Sequence, residues 1–537
     1  MKIMERGLIR AELIQRQEEG CDIEEISTRI KAALDEDVGG AELVTLYDEL
    51  MELQIDESFS YVEPSTLGEI HKERPEMARK LECNLSDEEL FDRTHGAWLG
   101  RAAGCALGKP VEGWPKERID KYLNHKNALP LDNYLPYDEK IIPRSLRSST
   151  LGNIEFMDRD DDLDFPILGL IALEAKGHKL TPRAIANTWL HYMPYGLVYT
   201  AEDCAYRNFV QGIFPPDSAS HRNPFREWIG AQIRADIFGY VAPAWPEKAA
   251  ELAFYDASIS HTKNGIYGEM FVAAMIAAAF VYDDIDDIVA AGLGEIPANC
   301  RLAECVKDTQ AWCKAEADWE VTWQKISDHY GNYHGVHTIN NAALVVMGLY
   351  YGSDDFEKGI IVTVRGGWDT DCTGATVGSI LGARMGAKAL PEKWVGVFND
   401  RLKSAVRDHN DNRFSELAER TVAVAKTLAV EPEQAKSPIE NATLTGAAGG
   451  IWELETGWGR QQLDFTKGII SFIDDDFGPY NITSSSYGHP ELRFEFSVDK
   501  GGWDFEVSFE GKVSGEKLEG AYFPMDTPVA GNRIAKA

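Results

Sequence analysis

The sequence predicts a mainly α-helical protein, with one large all-helical domain followed by a small antiparallel β barrel or sandwich. Three observations predict it. Two stretches carry glycine at every fourth position, Gly96, Gly100, Gly104, Gly108 and Gly374, Gly378, Gly382, Gly386. At 3.6 residues per turn each set falls on one helix face. Residues 270–281 are apolar all round, as in a helix buried on every side. Beyond residue 430 the pattern switches to period two, as in Leu492-Arg493-Phe494-Glu495-Phe496, which indicates antiparallel strands.

Three segments follow from this: a helical N-terminal extension over 1–86, a helical domain over 87–430 and a β domain over 440–537. In the extension, Leu8, Leu13, Ile14, Leu43, Leu46, Tyr47, Leu50 and Leu53 recur at helical spacing. It reads as a cap or oligomerisation arm without chemistry. Ser86 with Glu89 three positions on is a capping-box start for the first glycine-striped helix. The two striped helices are expected either to pack face to face or each to receive another helix, because four glycines in a helix cost about 1 kcal/mol each without a packing reason. In the β domain, Trp452, Trp458 and Trp503 are expected in the core, with a sugar-stacking face as the less favoured reading.

The formal charge of −33 argues against nucleic acid or an anionic membrane as a partner. The eight cysteines show no C-x-x-C spacing, which speaks against a zinc site or a disulfide framework. The first residues turn polar too soon for a secretory signal, and the apolar run at 270–282 is too short to span a bilayer. The expected location is cytoplasmic.

Acidic residues gather at three helix ends. Glu112 follows the first striped helix in Gly108-Lys109-Pro110-Val111-Glu112, and Asp160-Asp161-Asp162 precede an apolar helix. Asp369 and Asp371 open the second striped helix after Gly366-Gly367-Trp368. Taken alone, Glu112 reads as a solvated residue and the aspartates as a wet helix start. Together they are the layout expected of a shared site, since carboxylates packed so densely repel unless a cation neutralises them. Five or six hard oxygen donors suit two divalent cations, Mg²⁺ or a similar ion.

These motifs give the chain a resemblance. Over residues ~88–425 it is similar to the ADP-ribosylglycohydrolase family. That family's first motif, a glycine-rich helix ending in G-x-P-V-E, corresponds to residues 96–112. Its T-D-D-T motif corresponds to Asp160-Asp161-Asp162-Leu163, and its G-G-D-T-D-T motif to residues 366–372. Here Asp160 stands where the family has threonine, with Arg159 in that place in the alternative register; Cys372 replaces the final threonine, and Trp368 stands directly before the first aspartate. The resemblance implies a hydrolase of an N- or O-ribosyl bond with a binuclear Mg²⁺ site. It implies metal ligands among Asp160, Asp161, Asp162, Asp369, Asp371 and Thr373, and catalytic roles for Glu112, Asp161 and Asp371. It also implies cleft residues Gly230, Gln232, Arg234, His261, Asn264, Gly265, Tyr267, Gly268 and Trp368, although His261 by itself reads as a structural histidine. The expected partner is an ADP-ribosylated or small-molecule substrate. A nucleoside or glycoside hydrolase on the same fold, and a non-catalytic binder of ADP-ribose or a sugar, are the competing readings.

Overall fold

A computed structural model describes residues 2–430, 450–456, 459–464, 471–475, 480–488, 490–500, 503–523 and 527–535. The chain divides into two compact units, Met1–Ala429 and Val430–Ala537. Among the described residues no helix is long and apolar enough to cross a membrane.

The first unit is helical, as its periodicity predicts. The extension contributes the helices Lys2–Glu18, Glu24–Asp35 and Gly40–Met51, which share a core of Leu8, Ile9, Ile26, Ile30, Leu43, Leu46, Tyr47 and Leu50 with Cys204 of the main body. One detail departs from the apolar pattern. Ile14 is 56% exposed, whereas Glu12 and Gln15 on the same helix, and Glu19 just past its end, are buried.

At the start of the first striped helix, Asp87–Gly108, the capping box is formed: the Glu89 amide donates to Ser86 Oγ at 3.3 Å, and the Ser86 amide donates to Glu89 Oε2 at 2.9 Å. This helix packs directly against the second, Thr370–Met385, so the two glycine faces meet each other. The pairing runs antiparallel. A Cβ on Gly96, Gly100 or Gly104 would lie 2.5, 2.1 or 1.8 Å from the carbonyl oxygens of Gly382, Gly378 and Gly374 respectively. The missing side chains are what let the backbones touch. Around this pair sit further helices, including Lys263–Ala279, whose residues 270–279 are fully buried, and Thr338–Tyr351. A two-residue pair of strands, β1 (Leu402–Lys403) and β2 (Asp411–Asn412), is the one departure from an all-helical body among the described residues.

In the second unit, β3 (Ile451–Thr456), β4 (Gly459–Asp464), β5 (Ser471–Asp475), β6 (Tyr480–Gly488), β7 (Glu491–Lys500), β8 (Trp503–Ser514), β9 (Lys517–Phe523) and β10 (Thr527–Ala535) form one sheet. Its order is β5-β4-β3-β10-β9-β8-β7-β6, and every pairing is antiparallel. First and last strands pair, so the sheet follows the up-and-down order of a barrel. Alternate residues such as Trp452/Leu454, Leu492/Phe494 and Val507/Phe509 supply its core. Trp452 is therefore a core residue; Trp458 and the side chain of Trp503 lie outside the described residues.

Candidate metal centre

Two turns bring the first and third acidic motifs together. The helix Phe356–Arg365 stops at Gly366, and the backbone then takes positive φ at Gly367 (83°) and Trp368 (64°). A bulky residue in this left-handed region is strained and persists only where its surroundings hold it. Here the Gly113 amide donates to Trp368 O at 2.8 Å and the Trp368 amide to Trp114 O at 3.1 Å. Thr370 Oγ1 also donates to Gly108 O at 2.8 Å. These bonds stitch the start of one striped helix to the end of the other. As a result Glu112, Asp369 and Asp371 each offer a carboxylate oxygen within 4.8 Å of the others.

The second motif is held from behind. Asp160 is the N-cap of the helix Asp161–Lys176 and accepts from the Asp162 amide at 3.1 Å, which is the part a threonine would play there. Arg101, buried in the glycine-striped helix, donates to Asp162 Oδ1 at 3.0 Å, to Asp162 O at 2.7 Å and to Asp236 Oδ2 at 2.7 Å. Asp162 is thereby aimed at the third motif, and its carboxylate groups with Asp371 and Cys372 within 4.8 Å. Lys109 Nζ pairs with Asp160 Oδ2 at 3.0 Å. Arg159, the alternative occupant of the threonine place, pairs with Asp164 at 2.7 Å.

What remains open is informative. Asp162 Oδ2, Asp369 Oδ1 and Asp371 Oδ1 are buried without a hydrogen-bond partner. Buried polar atoms are ordinarily paired, so three orphaned carboxylate oxygens at one place mark a site for a cation. The donor set is hard oxygen apart from Cys372 and Cys105, the latter grouped with Asp160 and Asp162, and carboxylates in this number suit a divalent cation. Charge tells the same story. Burial, then the charges of Glu112 and Asp369, push Asp371 well above the usual carboxylate range. Asp161 and Asp162 rise for the same primary reason. Glu112 faces solvent at the rim, yet enclosure of its carboxyl and then the charges of Asp369 and Asp160 raise it to about 7. Asp160 goes the other way: burial would raise it, but the Lys109 ammonium outweighs that and lowers it.

Glu112, Asp160, Asp161, Asp369 and Asp371, but not Asp162, line a cavity of ≈ 400 Å³ whose other walls include Lys109, Tyr199, Glu202, Trp228, Ile229 and Gly230. A larger groove of ≈ 880 Å³ lies along the first two helices of the extension, but none of the clustered carboxylates lines it.

Of the nine cleft residues expected, Gly230 alone lines this cavity. It lacks a side chain because Glu202 Oε1 sits 2.2 Å from where a Cβ would be. The others stand behind the wall or beside it. Arg234 is buried and pairs with Glu202, Asp256 and Ser260. His261 bonds Ser260 Oγ at 2.8 Å and accepts from the Ala231 amide at 3.2 Å, as a structural histidine does. Asn264 donates to Glu227 at 2.8 Å, and the Tyr267 hydroxyl donates to Pro64 O. Gln232 is fully buried, while Gly265 and Gly268 allow close approach of Arg226 O and Thr338 Oγ1. Trp368 is half-buried on the turn and does not line the cavity. Thr373 donates its hydroxyl to Asp369 O at 2.8 Å, back along its own helix. Arg101, Lys109 and Glu202 escaped the sequence reading. Only Lys109, set within the first motif, stood where a signal could have been read.

Comparison with known proteins places these motifs in context. The ADP-ribosylglycohydrolase family matches residues 86–430. An uncharacterised protein of Archaeoglobus fulgidus is 24% identical over 313 residues, covering 56% of this chain and 90% of that protein. The ADP-ribosyl-[dinitrogen reductase] glycohydrolase of Rhodospirillum rubrum is 29% identical over 101 residues, which is 18% of this chain and 34% of that enzyme. A solved ADP-ribosylglycohydrolase-related protein complex aligns at 18% identity with a TM-score of 0.41, covering 64% of this chain and 99% of that one. With the family matched across well over half of its length, the chain belongs to the ADP-ribosylglycohydrolase family and is a hydrolase of glycosidic bonds.

Proposed function

We propose that the protein hydrolyses the N- or O-ribosyl bond of an ADP-ribosylated substrate at a site for two divalent cations, Mg²⁺ or Mn²⁺. The observation that carries this reading is the set of three orphaned carboxylate oxygens, on Asp162, Asp369 and Asp371, beside one cavity. Two groupings share Asp371: Asp162–Asp371–Cys372 and Glu112–Asp369–Asp371. A shared carboxylate suits a pair of cations, with Asp160 and Asp161 completing the donors on the side of the second motif. Bound there, the cations would neutralise the cluster and lower the pKa of a water for attack on the anomeric carbon.

The chain supplies the rest. Asp161 and Asp371 hold negative charge beside the reacting carbon, where an oxocarbenium-like transition state gathers positive charge. Glu112, exposed at the rim of the cavity, takes the proton of the attacking water and passes it to the leaving nitrogen or oxygen as the ribosyl bond breaks. Trp228 and Ile229 add apolar surface to the same cavity, against which a substrate's ring can rest. The unpaired state of the eight cysteines accords with a cytoplasmic protein.

The test is release of ADP-ribose from peptides ADP-ribosylated on arginine or serine, with Mg²⁺ and with EDTA. Turnover in Mg²⁺ that falls to background in EDTA is expected. Equal rates under both conditions would remove the metal site from the chemistry. Turnover of free nucleosides alone would replace the substrate class.

A further inference from the structure

The N-terminal extension lies outside the segment that matches the family, and its first helix presents an unusual inner face. Glu12 and Gln15 are buried there, as is Glu19 just past its end, and all three reach the same loop of the main body. Arg226 Nη2 pairs with Glu12 at 2.7 Å, and Arg226 Nε pairs with Glu19 at 3.0 Å. Gln15 Nε2 donates to Glu227 Oε2 at 2.6 Å. Arg301 grips Glu227 from the other side at 2.8 Å while also holding Glu63 at 2.7 Å and Glu18 O at 2.9 Å. The Tyr47 hydroxyl steadies Glu12 at 2.6 Å.

The residues that follow in this loop, Trp228, Ile229 and Gly230, line the metal-site cavity. The Ile229 amide donates to Val336 O at 2.9 Å, the Thr338 amide donates to Glu227 O at 3.1 Å, and the Trp228 ring stacks on His334 with centroids 4.2 Å apart. One wall of the cavity is therefore fixed at its base by side chains from the extension. An apolar interface would hold a helix in place at least as firmly as buried ion pairs do. What the charges add is register, because Arg226 satisfies both carboxylates in one position only.

We infer that Glu12, Gln15 and Glu19 are positioning residues: the extension sets the height and angle of the 226–230 loop and so shapes the substrate wall of the cavity. The link to the loop stands on geometry alone, whereas the link to turnover rests on the glycohydrolase reading above.

The test uses the full-length chain carrying Glu12→Gln and Glu19→Gln together. Hydrogen exchange is expected to quicken at the amides of Ile229 and Thr338, while the Thr370–Met385 helix stays protected. On an ADP-ribosyl peptide in Mg²⁺, KM should rise about tenfold with kcat within about twofold of the parent. Unchanged exchange at the loop would overturn the inference, as would exchange that quickens equally in the Thr370–Met385 helix, since that is general loosening. A rise in loop exchange with KM unmoved would overturn the link to the substrate wall. A parent protein with no turnover would defeat the proposed reaction, and the exchange comparison would still decide whether the extension holds the loop. Should the double variant fail to fold, Glu19→Gln alone is read by the same measurements.

Discussion

Asp162 divides its carboxylate between two duties. Oδ1 is held by Arg101 at 3.0 Å, and Oδ2 is left open beside Asp371. Replacing Arg101 with methionine would strand Asp162 and Asp236 in the interior, so Arg101→Met is expected to cost about 3–5 kcal/mol in urea unfolding. A loss below about 1 kcal/mol would show that the guanidinium does not hold the motif. Asp371 is the opposite case, a charge that harms the metal-free fold because burial and then Glu112 and Asp369 disfavour it. Asp371→Asn is therefore expected to melt higher than the parent in EDTA and to lose the gain in Tm that Mg²⁺ gives the parent. Glu112 sets the sign with pH. Its carboxyl rises from 4.5 to about 7 in the fold, so the folded form keeps a proton that the unfolded chain gives up. Stability of the metal-free protein should fall as pH climbs through that window, and saturating Mg²⁺ should flatten the fall; both are read by thermal melts. At this scale the carboxylates were legible because each group stands at a helix end, as Glu112 does after one striped helix and Asp369 and Asp371 do at the start of the other. Arg101 and Glu202 were not, because a buried arginine in an alanine- and glycine-rich helix carries no local mark of the aspartates it will meet.

The two striped helices are the element on which the site is built. With Gly374 O 1.8 Å from the place of a Cβ on Gly104, even one methyl group must push the helices apart. Gly104→Ala is expected to cost about 3 kcal/mol or more by overpacking and to weaken cation binding by separating Glu112 from Asp369. Gly7 offers the control: nothing lies within 4 Å of its Cβ position, so Gly7→Ala should stabilise by up to about 1 kcal/mol. Equal effects of the two changes on urea midpoints would mean that the stripe is not a packing device. The spacing of the glycines announced a close approach but could not name the partner, since a bare helix face accepts any backbone. The helix Lys2–Glu18 shows the reverse failure. Ile14 stood in the apolar pattern yet is exposed, and Glu12, Gln15 and Glu19 carried no mark of their burial, because polarity in the sequence does not distinguish water from a buried arginine.

At the scale of the molecule, the helical unit contains every residue of the candidate centre and the extension that grips its wall, while the β unit has a core of its own. A chain ending at residue 430 is accordingly expected to fold and to keep the Mg²⁺-dependent rise in Tm. Loss of that rise would make the β unit part of the site. The change of pattern near residue 430 was readable because strand and helix periods differ. The wall of the cavity was not, because its residues, Trp228 on a loop and Glu202 in the helix Thr200–Val210 among them, take their place from tertiary contacts alone. The proposed chemistry depends on carboxylates from three distant motifs sharing cations. Calorimetric titration of the metal-free protein with Mn²⁺ tests this most directly. The account predicts two binding events in the parent and their loss in Asp371→Asn, whose side chain both groupings share. An absence of heat in the parent, or binding that Asp371→Asn leaves unchanged, would contradict it.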